Sequence, residues 1–165
     1  MTSRFMSVDP GTVRSGWAVF DGTSLEAWGV LECGARDRFV DRLAFMVKGL
    51  EQDLFRRHRC SAWALEWPAG RTRGHIPPEL ESLARSLRAI ARAGKQPFYA
   101  YHPSTITAAV RPRGTKGWDR KAILRTGVEL LYPELRGQEV PEDAIDAVAV
   151  AHTHLCKSRE KELTR

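Results

Sequence analysis

With 165 residues, 42% of them hydrophobic, the chain can bury the core of one ordinary domain without disulfides or a structural metal. No run approaches the ~18 apolar residues of a membrane span, and Met1 to Asp9 lacks the apolar stretch and cleavage site of a secretory signal. A soluble, cytoplasmic protein is therefore expected. The net charge of +6 is unevenly spread: residues 71–125 hold twelve Lys or Arg against Glu79, Glu81 and Asp119 alone, so that stretch carries +9 and the remainder −3. Such a field suits a polyanion such as nucleic acid, and a solvated helical surface would account for the same count. The three cysteines (Cys33, Cys60, Cys156) form no Cys-x-x-Cys pair, which suggests neither a zinc knuckle nor a disulfide framework.

The first segment, Arg4 to Asp9, alternates as a strand does, with Phe5, Ser7 and Asp9 on one side and Met6 and Val8 on the other. Pro10-Gly11-Thr12 breaks it. Gly16 to Phe20 reads as a second strand, Asp21-Gly22 as a hairpin turn, and Leu25 to Glu32 as a third strand of an antiparallel meander. Apolar residues from Phe39 to Phe55 then recur at helical spacing, predicting a helix over about 37–57. Cys60 to Glu66 is a short apolar run, a buried strand. Strand, long helix, strand is a parallel crossover, so an α/β fold is expected, with a mixed sheet flanked by helices.

Residues 67–77 hold two glycines and two prolines and are read as a loop. Pro78 to Ala93 returns to helix, Pro97 to Tyr101 makes a fifth strand, and a short helix spans Pro103 to Val110. A basic loop, Arg111 to Trp118, precedes a helix N-capped by Asp119 and running to Leu131. Pro141 opens a last helix through about Lys157, with Glu142 and Asp143 in its acidic first turn. With no repeat and no linker, residues 1–165 read as one domain.

Four carboxylates stand out. Asp9 and Glu66 each close an apolar strand, and Asp143 and Asp146 share a face of the last helix at i, i+3 amid Ala and Val. Each alone has a bland explanation: an Asx turn for Asp9, an arginine partner for Glu66, a helix-dipole partner for Asp143. If strands one and four are neighbours and the last helix packs beside them, the four converge at one end of the sheet. Buried carboxylates are costly unless paired or bound to a cation, and an all-oxygen cluster suits Mg²⁺ or Mn²⁺. The chemistry such a site serves is phosphoryl transfer, with the basic stretch clamping a phosphodiester backbone.

The chain resembles the RuvC family of Holliday-junction resolvases, which have the RNase H-like fold. The resemblance covers nearly the whole chain and rests on four segments in order: Ser7-Val-Asp9-Pro-Gly-Thr-Val-Arg-Ser-Gly16-Trp; Ala64-Leu-Glu66; His102 to Val110 with the basic loop and Lys121; and Glu142-Asp143-Ala-Ile-Asp146 to His154. It implies a five-stranded mixed sheet, a three-strand antiparallel meander plus two parallel strands. It also implies that Asp9, Glu66, Asp143 and Asp146 bind two divalent cations, Mg²⁺ or Mn²⁺. A homodimer would act on a four-way DNA junction, leaving nicks with 5′-phosphate and 3′-hydroxyl ends. Lys121 sits where the family carries a lysine near the scissile phosphate, which would offset transition-state charge. The family also carries an aromatic shortly after the glutamate that wedges into the junction. Here Ala69 stands three residues on, leaving Trp67, His75 and Ile76 as substitutes.

The remaining DNA contacts are expected from Arg71 and Arg73, which read as phosphate ligands, and from Arg111, Arg113, Lys116 and Arg120. Trp118 either stacks on a base or packs on the domain. His152 and His154 are read as packing or surface residues. Neither a membrane nor a small-molecule substrate is expected. The Asp9-to-Trp17 segment also resembles the first phosphate loop of sugar-kinase and actin-like ATPases, which need two such domains where this chain has room for one. Two alternatives share the site: an RNase H-like nuclease acting on structured RNA, and a junction-binding module that does not cleave.

Overall fold

The computed structural model describes residues 4–69 and 76–164; Arg71, Arg73 and His75 lie outside them. Among the described residues, strands β1 (Arg4–Asp9), β2 (Arg14–Asp21), β3 (Ser24–Glu32), β4 (Ala62–Glu66) and β5 (Phe98–Tyr101) form one sheet in the order β3-β2-β1-β4-β5. β1, β2 and β3 pair antiparallel, and β4 lies parallel to both β1 and β5. The Asp21-Gly22 turn is made with Gly22 at φ +58°, where a side chain would be strained. This is the expected mixed sheet; α2 (Pro78–Ala93) joins the parallel pair β4 and β5, while the connection from β3 to β4 passes over β2 and β1.

Period-two alternation divides the core. Phe5, Ala18, Phe20, Ala62 and Ala64 face one side, where α3 (Pro103–Val110), α4 (Arg120–Leu131) and α5 (Glu142–Leu163) pack. Met6, Val8, Val19, Trp63 and Leu65 face the other, beneath α1 (Phe39–Lys48) and α2 (Pro78–Ala93). The helix expected over 37–57 starts two residues later. Beyond Lys48 it widens into π-helical turns over Gly49–Arg56, which still bury Leu50 and Phe55. Phe55 there stacks on Trp63 with ring centroids 4.1 Å apart. α5 runs six residues beyond the expected Lys157, its last turns polar and exposed. A single 3-10 turn at Pro133–Leu135 was not anticipated. The three cysteines are free and half-buried. Among the described residues no helix is long and apolar enough to cross a membrane.

Candidate active site

Register brings the first two carboxylates together. Val8 pairs with Leu65 across the parallel β1 and β4, so Asp9 and Glu66 follow side by side at the strands' carboxyl ends. Phe5, Ser7 and Asp9 alternate with Met6 and Val8, so both carboxylates point to the α5 side of the sheet. α5 can reach them because β2 has no side chain at Gly16, the residue paired with Asp9. A Cβ on Gly16 would stand 1.7 Å from the Asp143 carbonyl oxygen. The first turn of α5 therefore lies against the sheet and carries Asp143 and Asp146 over the Asp9–Glu66 pair.

The electrostatics show the crowding. Burial first, then the charges of Glu66 and Asp146, push the Asp9 carboxyl well above the usual carboxylate range; Arg120 works in the opposite direction. Asp146 is pushed up to about 6, chiefly by burial, with Arg120 opposing and Glu66 and Asp143 adding to the rise. Two like-charged, desolvated carboxyls in one pocket are the pattern expected of a functional site rather than of a stabilising one.

Arginines hold the cluster. Arg120, read from the sequence as a DNA contact, turns its guanidinium inward: Nη2 donates to Glu66 Oε2 at 2.6 Å, and Nη1 lies 3.7 Å from Asp146 Oδ2. Its Nε also reaches Thr107 Oγ1 on α3 at 3.4 Å. Arg14, at the start of β2, donates to Asp143 Oδ2 at 2.9 Å and Glu32 Oε2 at 2.6 Å. Neither Arg14 nor Thr107 was singled out as a site residue, since Arg14 and Asp143 are 129 positions apart and no local pattern links them.

Lys121 lies at the rim of the cluster, paired with Glu142. Its ammonium donates to Glu142 Oε2 at 2.6 Å, with the side chain 76% exposed. That partnership raises the lysine and lowers Glu142 from their ordinary pKa values. The helical periodicity of α4 explains the split: neighbouring residues 120 and 121 project about 100° apart, so only Arg120 faces the carboxylates.

Arg111, Arg113 and Lys116 are exposed on the loop that leads into α4. The loop keeps its shape through Gly114 and Gly117 at positive φ (+79° and +85°) and through buried Thr115, whose hydroxyl donates to the Pro112 carbonyl. Trp118 is 47% exposed, with part of its ring covered by the domain and part open to solvent. Trp67 is half-buried against the α2 side of the sheet, and Ile76 is half-buried. His152 and His154 are packing residues, accepting or donating through Nδ1 to Tyr132 and Tyr101 hydroxyls at 3.1 and 2.8 Å.

The donor set suits a hard divalent cation. It is all oxygen, and a cation among these four carboxylates would remove the repulsion that burdens Asp9. Among the described residues no three His, Cys, Asp or Glu side chains form a ligand cage, and the Arg120 guanidinium lies between Glu66 and Asp146.

No family model matches the sequence. The chain is 33% identical over 158 residues to the crossover junction endodeoxyribonuclease RuvC of Parafrankia sp. (strain EAN1pec), covering 92% of this chain and 85% of that protein. It belongs to the RuvC family. The RuvC of Roseiflexus sp. (strain RS-1) is 30% identical over 158 residues, covering 92% of this chain and 90% of its own length. Among solved structures, Thermus thermophilus RuvC in complex with Holliday junction substrate aligns with a TM-score of 0.72 at 18% identity, over 96% of both chains. The yeast mitochondrial Holliday junction resolvase aligns at 0.65 and 17%, over 93% of this chain and 78% of that one. At these identities the structural likeness establishes the RNase H-like fold of RuvC, and the sequence relatives carry the family.

Proposed function

We propose that this RuvC-family protein is an endodeoxyribonuclease that resolves four-way DNA junctions, hydrolysing a phosphodiester in each of two symmetric strands and leaving 5′-phosphate and 3′-hydroxyl nicks. The observation that carries the reading is the convergence of Asp9, Glu66, Asp143 and Asp146 at one end of the sheet, in a chain whose curated relatives are crossover junction endodeoxyribonucleases. Membership implies divalent-metal dependence. The four carboxylates would hold two ions, Mg²⁺ or Mn²⁺, which supply the Lewis acidity that phosphodiester hydrolysis needs.

The chain's own residues set the stage for that chemistry. Asp9, on the rigid β1 and against Gly16, fixes the floor of the site. Arg14 holds the Asp143 carboxylate in one orientation from across β2. Arg120 offsets the charge of Glu66 and Asp146, and with a divalent cation held by those carboxylates its guanidinium would be available to the negative scissile phosphate. Lys121, one residue on, supplies a second positive charge once it leaves Glu142. Arg111, Arg113 and Lys116 grip the backbone beside the site and position the strand without reading its sequence. Trp118 offers a ring for a base or ribose. A homodimer would present two such sites to the two strands.

The test is cleavage of end-labelled four-way junctions, linear duplex and structured RNA with Mg²⁺, Mn²⁺ or EDTA. Symmetric, metal-dependent nicks confined to the junction, and abolished in Asp146→Asn, are expected. Cleavage of the RNA with the junction left intact would move the site to RNA processing. Junction binding without nicks in any metal would make the protein a binding module.

A further inference from the structure

The turn between β1 and β2 is tied down from one side. Gly11 has no room for a side chain, since a Cβ there would stand 1.9 Å from the Arg14 carbonyl oxygen. The buried Ser15 hydroxyl donates to the Gly11 carbonyl at 2.8 Å and accepts from the Gly11 N–H at 3.0 Å. Cys33 holds the next two residues. Its thiol lies 3.5 Å from the Thr12 carbonyl and 3.6 Å from that of Val13, and its N–H donates to the Val13 carbonyl at 2.9 Å. Ser15 shares the parity of Trp17 and Val19 on β2, and Cys33 packs with them, so both anchors lie on the α1 and α2 side of the sheet. The peptide bonds of the described residues are trans, and in a trans peptide the N–H points opposite to the carbonyl before it. The Thr12 and Val13 N–H groups therefore turn away from Ser15 and Cys33, toward the α5 side that carries Asp9. Among the described residues neither donates to a protein acceptor.

We infer that the Thr12 and Val13 N–H groups seat a phosphate of the cleaved strand, one that flanks the scissile phosphate; the inference rests on the nuclease function proposed above. Successive backbone N–H groups on a turn make a concavity for an anion. Position supplies the occupant: Thr12 follows Asp9 by three residues, so it stands at most ~10 Å from it, within reach of the strand that the carboxylates address. Charge supplies the reason for backbone donors. Cationic side chains beside the cluster are drawn into ion pairs, as Arg14 is with Asp143 and Arg120 with Glu66 and Asp146. A backbone N–H is neutral, so it holds a phosphate oxygen without competing with a cation for the carboxylates. Fixed by Gly11, Ser15 and Cys33, the seat would set the strand's register over the site without reading its sequence.

The seat is tested by a double-mutant cycle between protein backbone and DNA backbone, read as junction affinity, with thermal unfolding as the folding control. On the protein side, the α-hydroxy acid analogue of Thr12 or of Val13 replaces one amide by an ester and deletes one N–H. On the DNA side, a neutral methylphosphonate replaces each phosphate flanking the mapped cut in turn. Either ester should weaken binding of the unmodified junction about tenfold, the loss of one hydrogen bond to a charged group. Methylphosphonate at one flanking position should do the same to wild type, and there the ester should cost little more. At the other positions the two losses should multiply. Losses that multiply at every position would overturn the seat and leave the nuclease reading intact, with the turn serving stability alone. So would esters that bind the unmodified junction as wild type does. A wild type that neither binds nor nicks junctions would overturn both.

Discussion

Replacing Arg120 by Gln separates two effects that the native residue combines. Its guanidinium lies 2.6 Å from Glu66 and 3.7 Å from Asp146, and its charge lowers the raised Asp9 carboxyl. In EDTA the variant should lose about 1–3 kcal/mol of stability, the range for a charged hydrogen bond removed from a largely buried partner. Its unfolding temperature should then rise more than wild type's when Mg²⁺ or Mn²⁺ is added, because one competitor for Glu66 and Asp146 has been removed. An equal rise in both proteins would mean that Arg120 does not compete for the metal site. In single-turnover cleavage, Arg120→Ala should lose tenfold or more and Lys121→Ala markedly less, because Lys121 is held by Glu142 at the surface. The reverse order would restore Lys121 as the main charge at the phosphate.

Packing of whole elements carries the next predictions. Gly16 admits α5 to the sheet, since a Cβ there would meet Asp143 backbone rather than a flexible side chain. Gly16→Ala should therefore cost about 1–3 kcal/mol and displace Asp143 and Asp146 from Asp9. Lowered unfolding temperature together with a drop in cleavage is the expected outcome, and a fully active variant would refute the argument. At the far end of the same interface, α5 packs His154 against Phe5 and Tyr99, with Nδ1 2.8 Å from the Tyr101 hydroxyl. Burial, with a smaller contribution from Lys161, lowers this histidine from 6.5 to about 4. Between those values the unfolded chain takes up a proton that the folded one does not. The stability present above pH 6.5 is thus lost as pH falls toward 4. Unfolding curves from pH 7.5 to 4.5 should show this loss in wild type and a shallower one in His154→Phe.

For the molecule as a whole, the two charge populations divide the labour. Carboxylates gather at one end of the sheet, while the +9 stretch supplies the exposed Arg111, Arg113 and Lys116. Two symmetric cuts call for two such bodies. Sedimentation at micromolar concentration should find a dimer, and a monomer that nicks only one strand of each junction would count against it.

Much of this protein follows from its sequence. Strict alternation in Phe5 to Asp9, the Trp63 to Glu66 run and the apolar stripes of the helices are local patterns, and each element they indicate is present within a few residues. The order of the four carboxylates along the chain also suffices to suggest an oxygen-ligand site and its family. Two things are settled only by tertiary structure, because both depend on partners far apart in sequence. One is closeness: Asp9 meets Asp143 only because strand register sets Gly16 opposite it and leaves room for a helix. The other is the direction a charge faces. Arg120 and Lys121 are adjacent in sequence, yet the docking of α4 turns one into the acidic cluster and the other out to Glu142.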